Sequence, residues 1–491
     1  MLFYLNSYQM NYPSIDYMNR NKLTALLVCL ALAGCVIPPA KDAAPVLSEP
    51  QRADFARTGL AQWPAAQWWQ AFGDAQLDRL IERALMDSPS MAVAQARLQQ
   101  AAAAAGQVAA NGGVNLSANA QVSRQLYSSN YIYPPPLAGA YDTSGILELD
   151  FSYDFDFWGR NRSAFQAALG QRAAAQADAD AAAASLSAAV AQTYFRWQTL
   201  NAHIALLQAT EAQRGTLVEL ESRRVKAGVS AGDNLHPLTA DVAAPHQTLV
   251  QLETQRDQAL YQLKSLVGGQ HELPALKPMA LPQVSGDVPG DLHLNLLARR
   301  PDVAAARDRV EASLKSVDSA RAAFYPDISI SAFTGLNSLA MGALLHASSR
   351  DQGVTPAISL PIFDAGRLRA NLNGNRADVA LAVAQYEQTV QTAVSDVNDA
   401  LVRLDGIARE RRPLEQQTQS RQRDIDSVNQ RLKAGLADRR ELFRDQLTVL
   451  SLQDQEVTRH ALALSAQIDL IKALGGGYGM SKPSAATPTQ Q

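Results

Sequence analysis

Residues 147–157 alternate without a slip: Leu147, Leu149, Phe151, Tyr153, Phe155 and Phe157 on one parity, Glu148, Asp150, Ser152, Asp154 and Asp156 on the other. Successive side chains of a strand point to opposite faces, so this stretch predicts a ribbon that is apolar on one side and acidic on the other. Four carboxylates packed into a core are costly, and in contact with water they cost little. The ribbon therefore needs an apolar neighbour on one face and water on the other. Few folds supply both.

The chain also repeats itself. Val225-Lys-Ala-Gly-Val229 recurs as Leu432-Lys-Ala-Gly-Leu436, and the same offset of 207 maps Gly159-Arg160 onto Gly366-Arg367. Earlier in each half, residues 88–98 match 300–310, and 114–120 match 326–332, both with an offset of 212. A duplication with stable offsets sets the organisation of the whole fold. The five-residue change falls between the strands of each half, where length changes collect in exposed loops. Each half reads helix, strand, loop, strand, long helix, turn, helix. Repeat 1 covers 73–269, with strands at 114–124 and 146–157 and a long helix at 160–227. Repeat 2 covers 292–476, with strands at 326–335 and 354–363 and a long helix at 366–434. Pro361 is expected at a sheet edge or bulge, because proline donates no ladder hydrogen bond. Residues 270–291 read as a linker, 35–72 as an N-terminal tether and 477–491 as a loose tail.

No proline interrupts residues 161–226, and a helix of that length reaches about 100 Å. Leu186, Val190, Tyr194, Trp197, Leu200, Ile204 and Leu207 step by threes and fours, as do Val379 to Ile407 in the second half, which predicts a coiled-coil-like seam. Pro413 is expected to kink or interrupt the second long helix.

The apolar run at 23–37 is too short to span a bilayer and follows Arg20 and Lys22, the pattern of a secretory signal peptide. Residues 18–34 are that signal, and residues 1–17 read as a start-site extension. Leu32-Ala33-Gly34-Cys35 resembles a bacterial lipobox, in which Cys35 is acylated and begins the mature chain. Residue 36 is valine, not the aspartate of the inner-membrane retention rule, which favours the outer membrane.

A net charge of -3 argues against a nucleic-acid partner. Gly228-Val-Ser-Ala-Gly232 fits a nucleophile-elbow pattern, but a helix precedes it and the repeat copy lacks the serine. The histidines have no metal-ligand spacing. No enzyme activity, metal or cofactor is expected. Strands of this length suit a tilted crossing of a bilayer, and four cannot close a barrel. Either the sheet is soluble, as in a periplasmic coiled-coil scaffold, or several chains pool their strands. The lipobox and the apolar face favour the second, with Glu148, Asp150, Asp154 and Asp156 facing a water-filled lumen.

The lipobox, residues 67–85, 154–164, 298–335 and 358–370 together resemble the TolC-type outer-membrane factors, in the branch of the OprM and NodT lipoproteins. The resemblance runs from about residue 18 to 480. It implies a mostly α protein with a β-barrel part: a homotrimer with a joint 12-stranded barrel in outer-membrane lipid and a periplasmic helical tunnel. It also implies a periplasmic adaptor and an inner-membrane efflux pump as partners, for drug efflux or, alternatively, type I secretion. Gly228-Val229 and Gly435-Leu436 resemble the hairpin tips that engage the adaptor. Asp426 resembles an aspartate of the periplasmic constriction, although Arg423 stands one turn earlier, where an acid is expected.

Overall fold

A computed structural model describes residues 40, 41, 43, 45, 47, 63–269, 275–284 and 299–478. The expected signal peptide, Cys35 and nearly all of the tail lie outside these residues. In chain order the regular elements are α1 (Ala75–Asp87), α2 (Pro89–Asn111), β1 (Asn115–Leu126), β2 (Tyr141–Phe155), α3 (Arg160–Lys226), α4 (Leu235–Leu266), α5 (Pro301–Ala322), β3 (Asp327–Ser338), β4 (Arg350–Ser359), α6 (Arg367–Lys433) and α7 (Arg439–Ala473). The duplication is visible in their bounds. β1 and β3 are both 12 residues long, and α3 and α6 are both 67. At 1.5 Å per residue each long helix measures about 100 Å.

The chain divides into two compact units. The first contains Gln107–Gln166 and Leu314–Asp378 and holds one antiparallel sheet in the order β1-β2-β3-β4. β2 starts five residues before the predicted position and stops at Phe155, short of Asp156 and Phe157. β4 ends at Ser359, so Pro361 lies past the strand; the proline within the ladder is Pro356, on the edge strand β4, where a missing donor is tolerated. Gly159 and Gly366 start the two long helices from the left-handed region, φ 74° and 85°, which glycine enters without a Cβ penalty.

The second unit contains Pro45–Gly106, Ala167–Ser313 and Val379–Gln491. Its core joins Leu77, Leu80 and Ile81 of α1 to Leu186, Val190 and Tyr194 of α3, Leu263 of α4 and Leu464 and Ile468 of α7, with Trp68 and Trp69 packed among them. A neighbouring cluster joins Val397, Leu401 and Leu404 of α6 to Ala466 and Leu470 of α7. The seam residues of both long helices therefore enter one helical layer. The linker is held by side-chain amides. Gln198 Nε2 donates to the Lys277 carbonyl at 3.2 Å while its Oε1 accepts from the Met279 amide at 2.9 Å, and Gln76 Oε1 accepts from the Lys277 amide at 2.8 Å. The Tyr194 hydroxyl donates to Asp74 Oδ2 at 2.5 Å; burial first, then this bond, pushes its pKa above the ordinary phenol value.

Pro413 does not interrupt α6, which is helical from Arg367 to Lys433. Proline lacks the amide for one i→i−4 bond, and the helix continues on its remaining bonds through a stretch, 408–424, whose side chains are exposed or half-buried. Small residues set helix spacing instead. A Cβ built on Gly170 of α3 would lie 2.9 Å from the Ala312 Cβ of α5. Gly170→Ala is therefore expected to destabilise by about 1–3 kcal/mol despite the better helix propensity of alanine, read as a lower unfolding midpoint.

Candidate functional site

In the sheet, directly opposed residues share a face. Leu116, Phe151, Ala332 and Val354 form one row across all four strands; Tyr153, Ile330 and Pro356 form another, and Phe155, Ile328 and Ile358 a third. The next row, Ala118, Leu149, Thr334 and Gln352, turns polar on its β3 and β4 side, and Arg350 and Arg124 follow nearer the loop end. Leu116, Leu149, Val354 and Ile358 are 67%, 48%, 66% and 75% exposed, a large uncovered apolar surface for a single chain. The opposite parity carries Asn119, Glu148, Gly335 and Asp351 in one row and Asp154 beside Ser329 in another. It also carries Ile146, between Gln121 and Asn337, and Phe333, which covers Gly353, whose added Cβ would meet the ring at 2.7 Å. The strands β1 and β4 are both unpaired on their outer side.

Asp156 departs from its expected place. It stands after the last residue of β2, and its two carboxylate oxygens accept from the Asn161 amide at 3.1 Å and the Arg162 amide at 2.8 Å. It caps the exposed amides of α3, favourable also for the helix dipole, while Glu148, Asp150 and Asp154 are on the polar face of the strand. Asp364 does the same for α6, accepting from Gly366 and Leu368. Aromatic side chains border both ends of the apolar face: Trp158 stacks on Tyr325 at 4.7 Å and donates from Nε1 to the Pro326 carbonyl, and Tyr127 meets Tyr133 edge-on at 4.7 Å.

In the helical unit, the two predicted tips share one geometry. The Gly228 amide bonds to the Val225 carbonyl and the Val229 amide to the Arg224 carbonyl; Gly435 and Leu436 repeat this with Leu432 and Arg431. Both are Schellman caps, with glycines at φ 73° and 74°. In that motif the residue after the glycine usually packs back on its helix. Here Val229 is 65% exposed and Leu436 75%.

A cluster that no local sequence signal announced lies behind the tips. The Glu221 side chain is 1% exposed; Arg440 Nη1 approaches its Oε2 at 3.4 Å, Arg224 Nε at 3.7 Å, and the Ser230 hydroxyl donates to its Oε1. Asp438 caps α7 through the Arg440 amide and pairs with Arg440 at 2.7 Å and Arg224 at 3.3 Å. Burial works against the Asp438 carboxylate, but the Arg440 amide and guanidinium, with Arg224, outweigh it and hold its pKa below 3.8. Ser230 is thus engaged in tying the tip, donating to Glu221 and accepting from the Asn234 side-chain amide. Asp426 is exposed on α6, beside buried Ile425 and Val428. Among the described residues no group of His, Cys, Asp and Glu could hold a metal, and no helix is long and apolar enough to cross a membrane.

A two-faced sheet with both edges open, followed in each repeat by a helix of 67 residues, defines the class: an outer-membrane channel protein. Comparison with known proteins agrees. The outer membrane efflux protein family matches residues 80–269 and 293–476. The multidrug resistance outer membrane protein MdtP of Escherichia coli K12 is 35% identical over 483 residues, covering 94% of this chain and 98% of that protein. MdtQ of Escherichia coli O157:H7 is 32% identical over 478 residues, covering 94% and 100%. The crystal structure of the outer membrane protein VceC from Vibrio cholerae superposes with a TM-score of 0.74 at 32% identity, covering 84% of this chain and all of that one. The chain belongs to the outer membrane efflux protein family.

Removing the buried carboxylate with Glu221→Ala strips Arg440 and Ser230 of their partner and is expected to cost about 1–3 kcal/mol of local stability. Faster amide exchange at 224–236 and 434–440, with the sheet unchanged, is the readout. The Asp438 contribution has a defined sign: with the folded pKa depressed, it is present above pH 3.8 and lost as pH falls through the folded value, so exchange at the tip should accelerate below pH 3.8.

Proposed function

We propose that three copies of this chain form the outer-membrane exit duct of a tripartite drug-efflux system. The observation that carries this reading is the sheet: one face apolar and exposed, one face polar, and two free edges. Strands β1 and β4 are the outer members of a four-stranded antiparallel order and so run in opposite directions. β4 of one copy can therefore pair antiparallel with β1 of the next, and repeated pairing closes a barrel. In lipid closure is required, because an open edge leaves backbone groups without partners. Strands of 10–15 residues are long enough for a tilted crossing. The resulting 12-stranded barrel would turn Glu148, Asp150 and Asp154 to the lumen and the apolar rows to lipid.

The long helices would form the periplasmic part of the duct, and acylated Cys35 would tether each copy to the outer membrane. The exposed Val229 and Leu436, each held outward by a glycine cap, would dock a periplasmic adaptor that links the duct to an inner-membrane pump. The chain contributes no catalysis. It supplies a passive path with a constriction at Asp426, and opening would loosen the α6–α7 hairpin at its tip. The names of MdtP and MdtQ support drugs as the cargo.

Val229→Asp/Leu436→Asp is expected to abolish drug resistance in cells while the protein still purifies as a trimer with unchanged conductance. Full resistance in that variant would remove the tips from adaptor docking. Asp426→Ala is expected to raise planar-bilayer conductance and weaken block by divalent cations; unchanged traces would remove Asp426 from the constriction. A delipidated chain that is monomeric and soluble without detergent would end the duct reading.

A further inference from the structure

Charge is sorted between the two faces of the sheet as sharply as hydrophobicity. On the apolar parity, from Leu116 to Ile358, the only ionised side chains are Arg124 and Arg350. Both stand at the end of the sheet that carries the β1–β2 and β3–β4 loops, both are exposed, and among the described residues neither pairs with a carboxylate. The strand carboxylates Asp142, Glu148, Asp150, Asp154, Asp327 and Asp351 all fall on the other parity.

The β3–β4 loop, residues 339–349, folds back over this same end. A Cβ on Gly145 would lie 2.7 Å from Leu344 Cδ2 and 3.1 Å from Met341 Sδ. Gly145 is in register with Val122 and Ser338, on the apolar parity. The loop therefore lies against the apolar face and does not cross to the polar one. Leu344 is seated on it at 6% exposure and Met341 lies beside it with its Sδ over Gly145, while Leu339 and Leu345 remain 44% and 79% exposed. Part of its backbone is bonded within the loop: the amides of Ala343, Leu344, His346 and Ser349 each bond a carbonyl three residues back, and the Ser349 hydroxyl donates to the Ala343 carbonyl at 2.7 Å. Two short turns with exposed apolar side chains suit the membrane interface, where backbone groups left open still reach water while leucines reach lipid.

We propose that this loop is a lipid anchor for the outer leaflet. Leu339 and Leu345 contact acyl chains, and Arg350 and Arg124, at the loop end of the sheet, bind phosphates of anionic outer-leaflet glycolipid. The inference rests on the channel reading, which puts the apolar face in lipid; continuity with that face and the lone pair of cations on it select a lipid as occupant.

The test uses the full-length protein in nanodiscs containing lipid A, with an environment-sensitive dye on Leu345→Cys and, separately, on Val354→Cys in the middle of the apolar face. The expected result is quenching of both dyes by acyl-chain doxyl groups and protection of both from iodide. Iodide quenching at Leu345→Cys with lipid quenching at Val354→Cys overturns the anchor and leaves the channel standing. Iodide quenching at Val354→Cys overturns the channel reading itself. Protection of Leu345→Cys from both quenchers means that a second protein copy covers the loop, and overturns the lipid assignment. In a second arm, lipid A is titrated onto the detergent-extracted trimer and counted by native mass spectrometry. Arg124→Gln/Arg350→Gln should weaken retention about tenfold, the scale of a charge-assisted hydrogen bond; unchanged retention overturns the phosphate contact.

Discussion

Unpaired backbone groups at the two edges of one four-stranded sheet set the terms for the rest of this protein. In water an open edge is a hazard that charged residues or proline can blunt, and here Pro356 breaks the donor row of β4 at one point only. In hydrocarbon the same edge is not tolerated. A chain whose strands are apolar on one face and open at both sides is therefore incomplete by itself. The uncovered apolar face and the free edges are complementary demands, and the proposed trimer in lipid would meet both.

The duplication makes this economical. Each repeat supplies two antiparallel strands followed by a 67-residue helix, and each of those helices ends in the same glycine cap. Because β2 and β3 pair with each other, the two repeats share a single sheet. The caps then hold apolar side chains, Val229 and Leu436, away from their own helices, a second surface that the isolated chain does not cover.

The tips are restrained by charge more than by packing. Glu221, Arg224, Asp438 and Arg440 come from both repeats, and the buried carboxylate is matched by two cations and a hydroxyl. Such a cluster is costly to disrupt by halves, because removing either arginine leaves the Glu221 carboxylate buried with less compensation. It binds the first hairpin to the second close to the place where an opening motion would have to separate them.

Much of the fold could be read from periodicity. Alternation at 147–155 identifies the two faces of the sheet because a strand has a period of two, and the spacing of Leu186 to Ile204 identifies the helical seam because neighbouring turns share a face. The repeat offsets place the elements, since two copies of one pattern must fold alike. Local pattern misleads where a different interaction takes over. Alternation continues through Asp156, yet the amides of α3 claim that carboxylate as a cap; Pro413 looks like a helix breaker, yet α6 runs through it. What the sequence by itself determined was the parity of each strand and the phase of each helix, properties of residues a few positions apart. Only the tertiary structure decided that Glu221 meets Arg440, that the two glutamines clasp the linker, and that Leu344 lies on Gly145. Those contacts join residues about 80 to 220 positions apart, and their energy exists only after the chain has closed the intervening loops.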